Sequence, residues 1–213
     1  MKMAYLIEVN HNLILTLPRF NIPLGFGDRS IRDVCKANNV PEDLLLLVCN
    51  IYTFDNYLPT DKELSDIDMS LLIPYLQASH RYYIDERLPH IGRHLHNMTK
   101  RIDTRYGTML EKFYHDYQAE VKEHFDHEEV EVFPYLLDPH KMSTNFMLVH
   151  DTLVDKLSDL TQIVYKYLPS DTLPDETIEL VFDILQLSSD LKKHALIEEK
   201  VLVPYSKIIS KAR

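Results

Sequence analysis

The sequence is poor in glycine and cysteine, and each shortage excludes a class of protein. Only four glycines occur among 213 residues. Long stretches combine Leu, Glu, Lys and Tyr at helical spacing, which argues against a β-rich fold and for an all-α fold. The two cysteines, Cys35 and Cys49, are too few for a disulfide framework and form no Cys-x2-Cys pair. We therefore expect ordinary reduced thiols.

Long apolar runs and excess positive charge are also missing. No stretch is long enough to span a bilayer, and the N-terminus lacks the uninterrupted apolar core of a signal peptide. The formal net charge is −10, whereas nucleic acids and anionic membranes are bound through clustered Lys and Arg. We therefore expect a cytoplasmic protein that binds neither nucleic acid nor membrane.

A polar segment at residues 52–68 interrupts the apolar periodicity and indicates a linker. We predict a small helical N-terminal domain over residues 1–60 and a helical bundle over residues 68–213. The N-terminal domain should contain two short helices, the first with Ser30 or Asp28 as its cap. The pair looks like a helix-turn-helix, but its second helix has no Arg or Lys to meet DNA, which disfavours that interpretation.

The sequence after the linker contains four long helical patterns separated by short breaks. Proline, serine, threonine and aspartate at the breaks are typical of helix ends and starts. Four antiparallel helices with short loops form an up-down bundle. Pro89 falls inside the first pattern, where it should kink the helix or leave a carbonyl unpaired. The predicted helices cover residues 70–103, 105–137, 143–168 and 174–209.

A repeat with an offset of 70 residues runs through the predicted bundle. Residues 124–135 read HFDHEEVEVFPY and residues 194–205 read HALIEEKVLVPY, so both contain His-x3-Glu-Glu followed by Pro-Tyr. His80 and His150 are related by the same offset of 70. Each half of the bundle therefore supplies one lone histidine and one His-x3-Glu pair.

The repeated residues have the chemistry of metal ligands. Residues four apart lie one above the other on a helix face, so a His-x3-Glu pair can reach one metal centre. Four imidazoles and two carboxylates suit two metal ions that both carboxylates bridge. Such N/O ligand sets suit Fe, Mn or Zn, and an open bridged site favours two Fe ions with an oxo or hydroxo bridge. The predicted ligands are His80, His124, Glu128, His150, His194 and Glu198.

Each part of this pattern also has an ordinary structural interpretation. A single His-x3-Glu is more often a surface pair, and a lone His on an apolar face is more often a hydrogen-bonded core residue. The offset shared by both halves favours the metal site. His94 lies about 21 Å along the helix from His80, and His90 lies on another face, so neither should share the site. His127 should be solvated or support a ligand, and Arg87 is a candidate to line the pocket.

With these ligands assigned, the chain resembles the hemerythrin-like (HHE cation-binding) family, and most closely the Repair of Iron Centres di-iron proteins. The ligands of that family follow the order His, His-x3-Glu, His, His-x3-Glu, which is the order found here. Oxygen-carrying hemerythrins have a fifth His four residues after the third-helix ligand, where this chain has Val154. The resemblance implies a role in iron–sulfur cluster repair or in nitrosative or oxidative stress. It also implies O2 or NO as the small ligand and damaged iron–sulfur proteins as partners.

The N-terminal region also resembles the N-terminal domain of that family, which has a Cys-Cys pair in a loop before a helix that ends in Cys. Here residues 20–28 occupy the loop, Gly25 and Phe26 stand in place of the pair, and Cys35 keeps the later cysteine. The resemblance therefore carries over a loop that can serve a homodimer, but no thiol-dependent iron handling. Two alternatives stay open. One is a di-iron sensor or storage protein that binds O2 or NO without repair, and the other is a structural or zinc-binding bundle.

Overall fold

The fold is known from a computed structural model that describes residues 1–102, 104–138, 150–167 and 174–211. Some side chains at helix ends, including that of His150, lie outside the described part. Within these ranges the regular elements are helices and no β-strand forms, which confirms the predicted all-α class. None of the described helices is both long enough and apolar enough to cross a membrane.

The N-terminal part of the chain forms short helices, and some of them begin at a capping side chain. Ser30 Oγ accepts a hydrogen bond from the Asp33 backbone N–H at 3.1 Å, which confirms Ser30 as a cap. The predicted linker contains a helix of its own, because Thr60 and Glu63 form a reciprocal capping box. The elements are α1 Met3–Val9, a 3₁₀ turn at His11–Leu15, α2 Thr16–Arg19, α3 Ile31–Ala37, α4 Glu42–Thr53 and α5 Asp61–Asp66.

The rest of the chain forms four helical runs close to the four predicted patterns. The first run ends at Thr99 rather than at residue 103, and the predicted cap of the third helix, Ser143, lies outside the described residues. The fourth run begins at Pro174, as predicted. The helices are α6 Met69–Arg81, α7 Leu88–Thr99, α8 Thr104–His127, α9 Phe133–Leu137, α10 His150–Tyr167, α11 Pro174–Ile197 and α12 Val203–Lys211.

Three of these runs contain a π-helical segment that ends two residues before a proline. Phe133 N–H donates to Glu128 O, and Val203 N–H donates to Glu198 O, each five residues back. A proline lacks an N–H and crowds the carbonyl four residues back, and the wider π turn accommodates this. A π turn therefore accommodates Pro89, where we expected a kink or an unpaired carbonyl. The segments are Tyr82–Arg87, Glu128–Val132 and Glu198–Leu202, followed by Pro89, Pro134 and Pro204.

The chain divides into two compact units. Unit 1 comprises Met1–Ser79, Tyr135–Met142 and Lys193–Arg213, and unit 2 comprises His80–Pro134 and Ser143–Lys192. Both units contain residues predicted as ligands. The division into domains predicted near residues 60 to 68 stays a prediction.

Unit 1 connects the N-terminal helices to the segment that carries His194 and Glu198. Lys193 Nζ donates to Asp55 Oδ1 at 2.6 Å and to Ile51 O at 3.3 Å. Lys200 Nζ donates to Asp55 O at 2.5 Å. The lysines on either side of the His194–Glu198 segment therefore connect it to Ile51 in the last turn of α4 and to Asp55 beyond its end.

Unit 2 has an apolar core formed by α7, α8, α10 and α11. Tyr114 is buried in it and donates its hydroxyl to Leu88 O at 2.9 Å; burial raises the pKa of this hydroxyl. The four helices contribute aliphatic side chains at helical spacing, which is the amphipathic pattern the sequence predicts. Buried members of this core include Ile91, Leu95, Leu110, Val121, Leu157, Leu160, Leu180, Ile184, Leu187 and Leu191.

Candidate metal centre

Unit 2 brings together three of the six predicted ligands. His80 lies near the end of α6, His124 lies in the last turn of α8, and Glu128 is the first residue of the following π segment. The four-residue spacing places the His124 imidazole beside the Glu128 carboxylate, as predicted. His80 reaches the same carboxylate from its own helix.

Glu128 lies between two imidazoles, and each of its oxygens faces a different one. Oε1 is 3.0 Å from His124 Nε2, and Oε2 is 3.3 Å from His80 Nε2. Two donor atoms bound to one ion at about 2.0–2.2 Å lie roughly 3.0–3.5 Å apart. Each nitrogen–oxygen pair therefore has the separation of two donors on a shared ion. Each oxygen of the Glu128 carboxylate thus has its own imidazole partner.

Glu128 and His80 are shielded from water, and aromatic rings pack against His80. Glu128 is 1% exposed and His80 is 2% exposed. The His80 ring stacks on Phe125 with centroids 4.0 Å apart and planes inclined by 10°, and Phe133 lies at 5.5 Å. A carboxylate buried in such surroundings is costly unless positive charge is bound beside it. The site therefore favours a cation between the carboxylate and the imidazoles.

Unit 1 contains a second His–Glu pair with the same geometry. His194 Nε2 is 3.2 Å from Glu198 Oε1. Both side chains are buried, with 1% and 0% exposure. Glu198 is also the first residue of a π-helical segment, as Glu128 is in unit 2. The 70-residue repeat in the sequence is thus matched by a repeat in local structure.

One residue of the site was overlooked by the sequence analysis. Glu129 Oε1 is 3.0 Å from His80 Nδ1, the ring nitrogen opposite the one that faces Glu128. A carboxylate in this position fixes the tautomer and the orientation of a ligating imidazole and makes it a stronger donor. The doubled glutamate of both His-x3-Glu-Glu motifs was the signal that could have identified it.

Three further predictions meet different outcomes. His150 begins α10, but its side chain lies outside the described residues, so its role as a ligand stays a prediction. His127 is exposed, which agrees with a solvated residue. The guanidinium of Arg87, a candidate to line the pocket, donates to Asp183 Oδ1 at 3.1 Å and to Gln186 Oε1 at 2.8 Å.

The side chains of both cysteines are buried. Burial raises the pKa of Cys35 to about 11 and that of Cys49 to about 12. The thiolate is the reactive and metal-binding form of cysteine. These thiols therefore stay protonated at neutral pH, as the prediction of ordinary reduced thiols requires.

The comparisons with known proteins agree with this chemistry. No curated protein matches the chain. The family described as Hemerythrin HHE cation binding domain matches residues 72–206, which is well over half of the chain and contains all six predicted ligands. Four of the six are buried groups of the kind that hold a metal ion, namely His80 and Glu128 in unit 2 and His194 and Glu198 in unit 1. The chain belongs to the hemerythrin HHE cation-binding family, and its helical domain is a metal-binding domain of the hemerythrin-like fold.

Proposed function

We propose that this chain is a non-haem di-iron protein that acts in iron–sulfur cluster repair or in the response to nitrosative or oxidative stress. The centre is held by His80, His124, Glu128, His150, His194 and Glu198. The observation that carries the proposal is the Glu128 carboxylate, whose two oxygens face two different imidazoles at 3.0 and 3.3 Å. A bridging carboxylate places one oxygen on each ion, and two oxygens that face different imidazoles fit that arrangement.

Two observations support joining the two His–Glu pairs in one centre. The pairs and the two lone histidines keep one offset of 70 residues, and one family match spans them all. By this symmetry Glu198 is expected to bridge as Glu128 does, with His150 in the place of His80.

The residues of the proposed centre differ in what they contribute to metal binding. The two glutamates supply the negative charge that balances the cations, and the four histidines supply neutral donors. Glu129 orients His80, while Phe125 and Phe133 stack against its ring and keep water away. When bound, the two iron ions supply redox-active positions at which a diatomic ligand such as O2 or NO can bind.

Metal analysis tests the proposal directly. Protein produced without added zinc should contain about two iron ions per chain, which is the number that six donors with two bridging carboxylates accommodate. The oxidised protein should absorb in the near ultraviolet as a bridged di-iron(III) centre. A metal content near zero, or one tightly held zinc ion, would overturn the proposal.

A second candidate function is a sensor or storage protein that binds O2 or NO without repairing clusters. Lys193 and Lys200, which flank His194 and Glu198, both bind Asp55 beyond the end of α4, so a change at these ligands has a direct connection to the N-terminal helices. Incubation of the iron-loaded protein with an apo iron–sulfur protein separates the two functions. Transfer of iron supports repair, and retention of both irons supports the sensor or storage function.

Substitution of the cysteines should leave the metal untouched. Cys35→Ser and Cys49→Ser are expected to keep the full iron content, because both thiols are buried in unit 1 outside the ligand set. The native thiols should react slowly with a disulfide reagent, since their raised pKa values keep the thiolate scarce. Loss of iron from either variant would mean that a thiol belongs to the site.

A further inference from the structure

A second group of potential metal ligands lies wholly within unit 2. His90 and His94 are four residues apart on α7, with ring centroids separated by 4.3 Å. Asp183 on α11 faces both rings, since its Oδ2 is 3.2 Å from His90 Nε2 and 3.2 Å from His94 Nδ1. None of the three residues is a proposed ligand of the di-iron centre.

We propose that His90, His94 and Asp183 form a separate mononuclear site for a divalent transition-metal ion of the Zn²⁺ type. The separation of 3.2 Å between each nitrogen and the carboxylate oxygen is close to the edge of roughly 3.3 Å that a tetrahedral ion with bonds of about 2.0 Å requires. Two imidazoles and one carboxylate suit Zn²⁺, Co²⁺ or Ni²⁺ better than Mg²⁺ or Ca²⁺, which prefer oxygen donors. Three protein donors leave a fourth position for water.

The side chains around Asp183 hold it in the orientation that the site needs. Arg87 Nη2 donates to Asp183 Oδ1 at 3.1 Å and to Gln186 Oε1 at 2.8 Å. One carboxylate oxygen is thereby fixed by the guanidinium, and the other points to the histidines. Hydrogen-bond partners of this kind orient the ligands of established metal sites. The arginine charge also reduces the negative charge offered to the ion, so binding should be weaker than in a site without it.

The proposed site is accessible from solvent. The side chains of His90, His94 and Asp183 are 38%, 33% and 19% exposed. His94 also lines an open cleft of about 480 Å³ whose other walls include Asn97, Lys100 and Glu179. An ion can therefore enter without opening the core of unit 2. Because the ion can enter from solvent, the test can use the folded protein with whatever metal it already contains.

Zinc binding measured as a difference between variants tests the site. Wild-type protein and a His90→Gln/His94→Gln variant are equilibrated with Zn²⁺ alone, separated from free metal and analysed for zinc and iron. The wild type should retain about one more zinc per chain than the variant. Asp183→Asn should also lose this zinc, because an amide oxygen is a poor ligand for Zn²⁺. Equal zinc in the wild type and the double variant would overturn the proposal.

Two controls keep this result independent of the di-iron proposal. A His115→Gln/His127→Gln variant removes two exposed histidines of unit 2 and should keep the extra zinc. Only the difference in zinc content between the wild type and the variants is used. The result therefore does not depend on which metal the proposed di-iron centre contains. With Co²⁺ as the probe, the spectrum of the wild type minus that of the double variant should show the visible bands of a four-coordinate ion. The absence of those bands would contradict the tetrahedral site.

Discussion

Glu128→Ala and Glu198→Ala should each deplete the protein of both iron ions at once. A bridging carboxylate is a ligand of two ions, so its removal takes one donor from each. Removal also leaves the buried imidazoles with less negative charge to balance two cations. Iron per chain should fall from about two to near zero after gel filtration, and the near-ultraviolet absorption should disappear. Both variants should behave alike because the two glutamates are related by the repeat.

The matched control for Glu128→Ala lies in the same helical run, and a histidine variant supplies a second comparison. Glu131→Ala removes an exposed carboxylate three residues after Glu128 and should keep both irons. His80→Ala removes a single terminal donor and should mainly loosen one ion, so its iron content should fall toward one. A Glu128→Ala or Glu198→Ala variant that keeps two irons with an unchanged spectrum would contradict the bridging role of that residue.

The histidine and glutamate pairs were predictable because their geometry is local. Residues four apart on a helix must share a face, so His124 with Glu128 and His194 with Glu198 follow from the spacing alone. The offset of 70 residues then distinguished these pairs from ordinary surface pairs. Four helical runs were likewise predictable, since their apolar periodicity and their proline-marked breaks are local features.

The features that the sequence did not reveal include contacts between distant residues and the geometry of the backbone. The pairing of Arg87 with Asp183 joins residues about a hundred positions apart, and it depends on the packing of the π segment that ends at Arg87 against α11. The π segments are local, but an internal proline is compatible with a kink, a break or a π turn, and spacing alone does not choose among them. The doubled glutamate indicates that Glu129 could take part in the site, but its contact with His80 depends on the orientation of the His80 ring, which the sequence does not give.

Two of the π segments begin at glutamates that are proposed metal ligands. Glu128 and Glu198 both stand at the first residue of such a segment, and π turns inside helices are frequent at functional sites. The proline that follows each segment stabilises the π turn against a return to regular α-helix, because it has no N–H for the carbonyl four residues back. Each proposed ligand glutamate is therefore held at a π turn that the following proline favours.

Leu187→Ala should lower the free energy of unfolding by about 2–5 kcal/mol, the range for leucine removed from a packed core. Leu187 is 1% exposed among the core residues of unit 2. Leu185, two residues earlier on the same helix, is 49% exposed, so Leu185→Ala should change the stability by about 0.5 kcal/mol or less. Denaturant unfolding of the metal-depleted proteins measures both effects, because apolar packing rather than metal is expected to hold the helices together.

The iron content of the same two variants completes the comparison. Folded Leu187→Ala should still bind about two irons per chain, since no ligand or ligand partner has been removed. The cavity would then lower stability without lowering stoichiometry, whereas Glu128→Ala would lower stoichiometry while the metal-free helices stay folded. Equal stability of the Leu187→Ala and Leu185→Ala proteins would contradict the packed core of unit 2. Loss of iron from folded Leu187→Ala would show that the ligands depend on core packing rather than on helix spacing and hydrogen bonds.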